Sequence, residues 1–138
     1  MPHWMQIANQ ELGVEEIPGP KNNATIVEYF KSTTYPATED SVPWCAAFVS
    51  YCLEKAGIES TKSAWSLSYL NWGIHLGSPK ISCVAVLYRG LDRNKGHVGF
   101  VVGFNALTVT LLGGNQGDKV CLKTYPRALV RGYRWPKV

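Results

Sequence analysis

The 138 residues contain no apolar run near the roughly 20 needed to span a bilayer, no C-x-x-C pair, and no basic run interleaved with aromatic residues. The first absence argues against a membrane-spanning helix. The second removes zinc ribbons and thioredoxin-like redox motifs. The third, with Lys and Arg scattered from Lys21 to Arg134, leaves nucleic acid without its usual footprint, so no nucleic-acid partner is expected. The start, Met1-Pro2-His3-Trp4-Met5-Gln6, lacks the basic and apolar stretches of a secretory signal. Synthesis in the cytoplasm is therefore expected, with export by lysis or a dedicated secretion machine if the protein works outside. Three histidines and four cysteines without metal-ligand spacing make no case for zinc, and no cofactor is expected.

What is present is a core. Hydrophobic residues make up 46% and charged residues 17%, a globular balance at the size of one domain, so residues 1–138 are read as a single unit and a monomer. The net charge of +4 is a mild cationic bias that suits an acidic polymer, for which bacterial cell wall and nucleic acid both qualify, and equally suits ordinary solubility charge. Cys45 and Cys52 lie about 10 Å apart along one helix, too far for a disulfide. Cys83 and Cys121 fall in strand-like runs and read as small buried residues.

Two halves differ in period. Residues 3–12 look helical, and Asn22 or Asn23 can cap a second helix over about 24–31. Cys45, Phe48, Val49, Cys52, Leu53 and Ala56 then recur at the 3–4 spacing of one helical face. Gly57 stops that helix, Asp40 or Ser41 can cap it, and Pro43 suits its first turn. A short helix is expected at about 64–71. After it, 83–88, 97–104, 107–112, 119–124 and 130–135 read as strands. Helices followed by strands predict an α+β fold, with N-terminal helices packed on a C-terminal antiparallel β-sheet of about five strands.

The chemistry lies in two of these elements. A thiol in the first turn of a helix meets unpaired amide N–H groups and the positive end of the dipole, which favour thiolate. Cys45 holds that position. An imidazole beside it would complete a nucleophile–base pair, and His97 opens a strand. His97, Gly99, Val101 and Gly103 share one face, where the two glycines would let a helix approach closely. A third residue should orient the imidazole. Asn115 keeps the parity of Leu111 and Gly113 on the next strand, with Gln116 the second candidate, then Asp92 and Asp118. Trp44, Trp65, Tyr69 and Trp72 are candidates to line a substrate groove, against the plainer reading of core packing. His3 and His75 have no partner motif.

Pro43-Trp44-Cys45-Ala46-Ala47-Phe48-Val49, Gly96-His97-Val98-Gly99-Phe100-Val101 and Gly113-Gly114-Asn115-Gln116 occur in that order. Together they resemble the CHAP group, the cysteine, histidine-dependent amidohydrolases/peptidases related to NlpC-type cell-wall peptidases in the papain-like superfamily. The similarity runs from about Ile7 to Pro136 and is greatest to compact members from phage lysis modules and antibacterial toxins. It implies cleavage of an amide in cell-wall peptides, with Cys45 as nucleophile, His97 as general base and Asn115 as the residue orienting it. Some members carry a glutamate two positions before that asparagine, where this chain has Gly113. An oxyanion would take the Cys45 N–H as one donor, with Tyr35, Asp40 and Ser41 open as the second. Trp44, Asp40, Ser41 and Gln116 are thus candidates around the oxyanion and substrate. The implied partners are the peptidoglycan peptide substrate and, for a toxin, an immunity protein plugging the cleft. A wall-binding module without catalysis and a cysteine deamidase or transferase on the same scaffold are the competing readings.

Overall fold

The computed structural model describes residues 1–18, 21–35, 37, 43–89 and 92–137, without the side chains of 89 and 92–94. The helices come first: α1 (His3–Gln10), α2 (Ala24–Tyr29) and α3 (Cys45–Lys55). Asn23 caps α2, its Oδ1 accepting from Thr25 N–H at 2.8 Å. Gly57, at φ +77°, closes α3. Ile58 N–H reaches the Leu53 carbonyl and Gly57 N–H the Glu54 carbonyl, which satisfies two terminal acceptors. A 3-10 segment at Ser66–Asn71 leads into the strands.

Among the described residues the sheet has six antiparallel strands, one more than the expected five or so. They are β1 (Ile74–Leu76), β2 (Val84–Arg89), β3 (Asp92–Phe104), β4 (Thr108–Gly113), β5 (Cys121–Pro126) and β6 (Val130–Trp135). Their order is β1-β6-β2-β3-β4-β5. The added strand, β1, is three residues long and pairs Ile74–Leu76 with Trp135–Tyr133.

Helix α3 is buried on most of its circumference, including Cys45, Phe48, Val49, Ser50, Cys52 and Leu53. It packs on β3 and β4, with Phe48 edge-on to Phe100 at 6.4 Å. Each large side chain sealed there contributes about 1.5–3 kcal/mol. The face of β3 that α3 covers is therefore the Val98–Phe100 face, opposite to the one expected. Gly99 looks the other way, where a methyl group added to it would meet Leu111 Cβ at 3.3 Å. That second face buries Cys83, Ala85, Leu87, Val101, Val109 and Leu111 as a separate apolar cluster. A sheet apolar on both sides offers no sequence signal for which side the helix takes.

The segment after α1 ties the two halves together. Gly13 N–H donates to the Val120 carbonyl, Val120 N–H to the Val14 carbonyl, and Glu16 N–H to the Asp118 carbonyl. Glu16 also accepts from Trp44 Nε1 at 2.9 Å. The residue before α3 and the turn after β4 are thus held by one stretch of chain.

Candidate active site

The thiol of Cys45 sits at the first position of α3, preceded by Trp44 as N-cap with no side-chain cap. The first helical bond runs from Phe48 N–H to the Trp44 carbonyl at 2.9 Å, so the amides of 45, 46 and 47 precede the hydrogen-bond ladder. Pro43 lies before the helix, not within its first turn. The roles expected of Asp40 and Ser41 fall outside the described residues. Cys45 is 5% exposed.

His97 pairs with Leu87 across β2–β3 and is buried. Its Nε2 lies 2.8 Å from Gln116 Oε1. The orientation of that amide is determined by its other end. Gln116 Nε2 donates to the Cys121 carbonyl at 2.7 Å and the Leu111 carbonyl at 3.3 Å. Both carbonyls only accept, so the NH2 group must face them and the oxygen must face His97. An amide oxygen also only accepts, so His97 Nε2 carries a proton. The neutral ring is then the Nε2–H tautomer, with its basic lone pair on Nδ1. Tyr125 reinforces the arrangement: its hydroxyl donates to Gln116 Oε1 at 3.1 Å, and its ring lies 5.4 Å from the imidazole.

Gln116, the second candidate from sequence, is thus the side chain bonded to His97 Nε2, while Asn115 lines the same cavity. Strand β4 ends at Gly113, and Asn115 adopts φ +58° in the turn that follows. Strand parity does not extend through a left-handed residue. The turn closes with Gln116 N–H on the Lys119 carbonyl, with Gly117 and Asp118 also at positive φ. That swings the Gln116 side chain back under β4. A methyl group at Gly113 would lie 2.8 Å from Gln116 Oε1 and 3.3 Å from His97 Nε2. Gln116 thus occupies the volume a side chain at 113 would use.

The next residue faces the helix. A methyl group at Gly114 would lie 2.6 Å from the Trp44 ring and 2.8 Å from Phe48 Cβ. Consecutive Cα atoms are 3.8 Å apart, so the Gly113-Gly114 pair has the imidazole of His97 against one member and the start of α3 against the other. Trp44 is fully buried, stacked near Tyr29 and bonded to Glu16, so it packs the core and lines no open groove. Tyr69 is buried as well, its hydroxyl 2.6 Å from Ser50 Oγ. Trp72 donates its Nε1 to the Glu59 carbonyl. Of the four aromatics considered for a groove, Trp65 is the exposed one, at 56%.

The other thiols differ from Cys45 in position. Burial pushes Cys52 well above the ordinary thiol range and Cys83 up to about 11. Two openings lie near these residues. A cavity of about 300 Å³ beside His97 is walled by Tyr88, Asn115, Gln116, Lys123, Tyr125 and Leu129 among others. A groove of about 460 Å³ lies on the Pro43 side, with Tyr35 and Trp65 in its walls. Among the described residues, no group of three or more His, Cys, Asp or Glu side chains could hold a metal ion. No helix, among those residues, is long and apolar enough to cross a membrane.

A family model described as the CHAP domain matches residues 37–115, more than half of the chain. The chain belongs to the CHAP family, whose members are in general cysteine, histidine-dependent amidohydrolases and peptidases of the cell wall. The match includes Cys45, His97 and Asn115 and stops one residue short of Gln116. No curated protein matches the chain.

Proposed function

We propose that the protein is a peptidoglycan hydrolase that cleaves a cell-wall peptide amide through a Cys45 acyl-enzyme. The observation that carries this reading is the 2.8 Å bond from His97 Nε2 to a Gln116 oxygen that can only accept. It leaves Nδ1 as the basic nitrogen, and the reading requires Cys45 to reach it past the Gly113-Gly114 turn, because His97 shares the Leu87 face of the sheet and α3 covers the other. Cys45 gives its proton to Nδ1, and the thiolate is favoured by the helix N-terminus and by the imidazolium. The sulfur adds to the amide carbonyl, and the Cys45 N–H donates to the oxyanion. Nδ1–H then protonates the leaving amine as the C–N bond breaks. Water, deprotonated by the same nitrogen, releases the acid. When the ring is charged, its Nε2–H bond to Gln116 strengthens, since bonds to ionised donors are roughly twice as strong.

The mild positive charge of +4 suits the anionic wall. The setting would be phage lysis or delivery into a rival cell, with an immunity protein as the partner of a delivered toxin. Purified peptidoglycan, incubated with wild-type protein and with Cys45→Ala, tests the reading by mass spectrometry of the soluble fragments. The wild type should release them and the variant none. Equal release by both would overturn the nucleophile, and release by neither would favour a wall-binding role.

A further inference from the structure

We infer that Glu16 is a positioning residue for Cys45 and His97. Its side chain fixes the residue before the nucleophile, and its main chain fixes the turn that carries the histidine's partner. The inference rests on the cysteine-hydrolase reading above and adds to it a residue that lies outside residues 37–115, where the family model matches.

The side chain acts on the start of α3. A buried indole N–H needs an acceptor. Trp44 is fully buried, and its Nε1 donates to Glu16 Oε2 at 2.9 Å across 28 residues of sequence. An ionised acceptor makes that bond stronger than one to a neutral oxygen. The opposite edge of the same ring is blocked. A methyl group added at Gly114 would lie 2.6 Å from Trp44 Cζ3 and 2.8 Å from Cε3, so this edge rests on the glycine. Tyr29 lies against the ring at 5.9 Å, and its hydroxyl donates to Glu11 Oε1 at 2.8 Å. The indole is thus clamped between Glu16 and the Gly113-Gly114 pair. Its backbone is one peptide from Cys45, whose N–H is the oxyanion donor of the proposed mechanism.

The main chain of the same residue reaches the histidine's side. Glu16 N–H donates to the Asp118 carbonyl at 2.9 Å, and Glu15 bridges to Lys119. Asn23, the cap of α2, donates its Nδ2 to the Glu15 carbonyl at 2.8 Å. Asp118 and Lys119 belong to the turn of Gln116, whose N–H bonds the Lys119 carbonyl and whose Oε1 holds His97. One residue therefore sets the spacing between the start of α3 and the turn past which Cys45 reaches His97. Removing the carboxylate releases the indole edge while the main-chain bonds stay. Misplacing reacting groups by about 1 Å costs on the order of 100-fold, and it acts on the chemical step.

The test is steady-state kinetics of peptidoglycan digestion by the wild type, Glu16→Ala and Glu16→Gln, with thermal melts and proton–nitrogen correlation spectra of the indole N–H groups. At a temperature where the melts show every protein folded, Glu16→Ala should lower kcat about tenfold or more, with KM within about twofold of wild type. The Trp44 indole N–H resonance should move upfield in that variant, the signature of a lost bond to a carboxylate. Glu16→Gln, whose amide oxygen accepts the same bond, should keep most of kcat. If Glu16→Ala does not fold, Glu16→Asp, one methylene short of the indole, takes its place and should show the same split. Wild-type kcat in the folded Ala or Asp variant would overturn the proposal and leave Glu16 a purely structural residue. A Glu16→Gln variant as slow as Glu16→Ala would overturn the hydrogen-bond clamp. No Cys45-dependent product from the wild type would instead refute the cysteine-hydrolase reading, and the proposal with it.

Discussion

Gly113 and Gln116 share one volume beside His97: a methyl group on the glycine would stand 2.8 Å from the glutamine's amide oxygen. The two positions are three residues apart, yet the turn between them folds the longer side chain into the space above the shorter one. Gly113→Glu should therefore impair the protein by displacing Gln116 from His97. Gln116→Ala should cost about 10- to 100-fold in kcat/KM, the size of a hydrogen bond to a charged group. In Gly113→Glu with Gln116→Ala the glutamate enters the vacated volume, and activity should exceed that of either single variant. Steady-state kinetics on the three proteins check this, and strict additivity of the losses would contradict it.

Gly114 carries a structural prediction of the same kind. Gly114→Ala drives a methyl group toward the buried Trp44 ring at 2.6 Å and toward the backbone-anchored Phe48 Cβ. Overpacking of this sort costs about 1–3 kcal/mol. Thermal melts should show a clear drop in Tm, and an unchanged Tm would mean that the turn moves freely away from α3.

Much of this was legible in the chain. The 3–4 spacing after Trp44 places α3 and Gly57 ends it, because a buried helix needs an apolar face and a left-handed stop. Two limits of the sequence have physical causes. The helix packs on the Val98–Phe100 face because both faces of β3 are apolar, so alternation identifies the faces without ranking them. Strand parity carries no information on whether Asn115 or Gln116 faces His97, because the strand ends at Gly113 and φ turns positive at Asn115. Strand β1 has no sequence signal, because three residues cannot display a period. The one sequence signal for Gln116 was the empty position at Gly113, which left room for a neighbour's side chain.

Lys123 should read substrate charge. Lys123→Met should raise KM about three- to tenfold with little change in kcat, as expected when binding is lost equally from ground and transition states. The ammonium is exposed, so the wild-type KM should rise with salt while that of the variant stays flatter. A KM indifferent to both changes would remove Lys123 from the binding surface.

The buried thiols predict alkaline instability. Cys83 is held up to about 11 in the folded protein, against an ordinary 9.0, and Cys52 is raised well above it. The unfolded chain loses those protons first, so above about pH 9 it binds fewer than the folded state. Stability is then complete below the ordinary thiol range and falls as pH rises toward 11. Tyr69, raised to about 12 by burial, extends the decline. Denaturant melts from pH 8 to pH 11 should show the loss, with a smaller loss in Cys83→Ala.

The most direct test of the account is the rate at which Cys45 is alkylated as a function of pH, followed by peptide mass mapping in wild-type protein, His97→Ala and Gln116→Ala. A thiolate paired with the imidazolium should react in the wild type well below the ordinary thiol range. That low-pH reactivity should vanish in His97→Ala and shrink in Gln116→Ala. A single titration at the ordinary thiol value, identical in all three proteins, would contradict the pairing of Cys45 with His97.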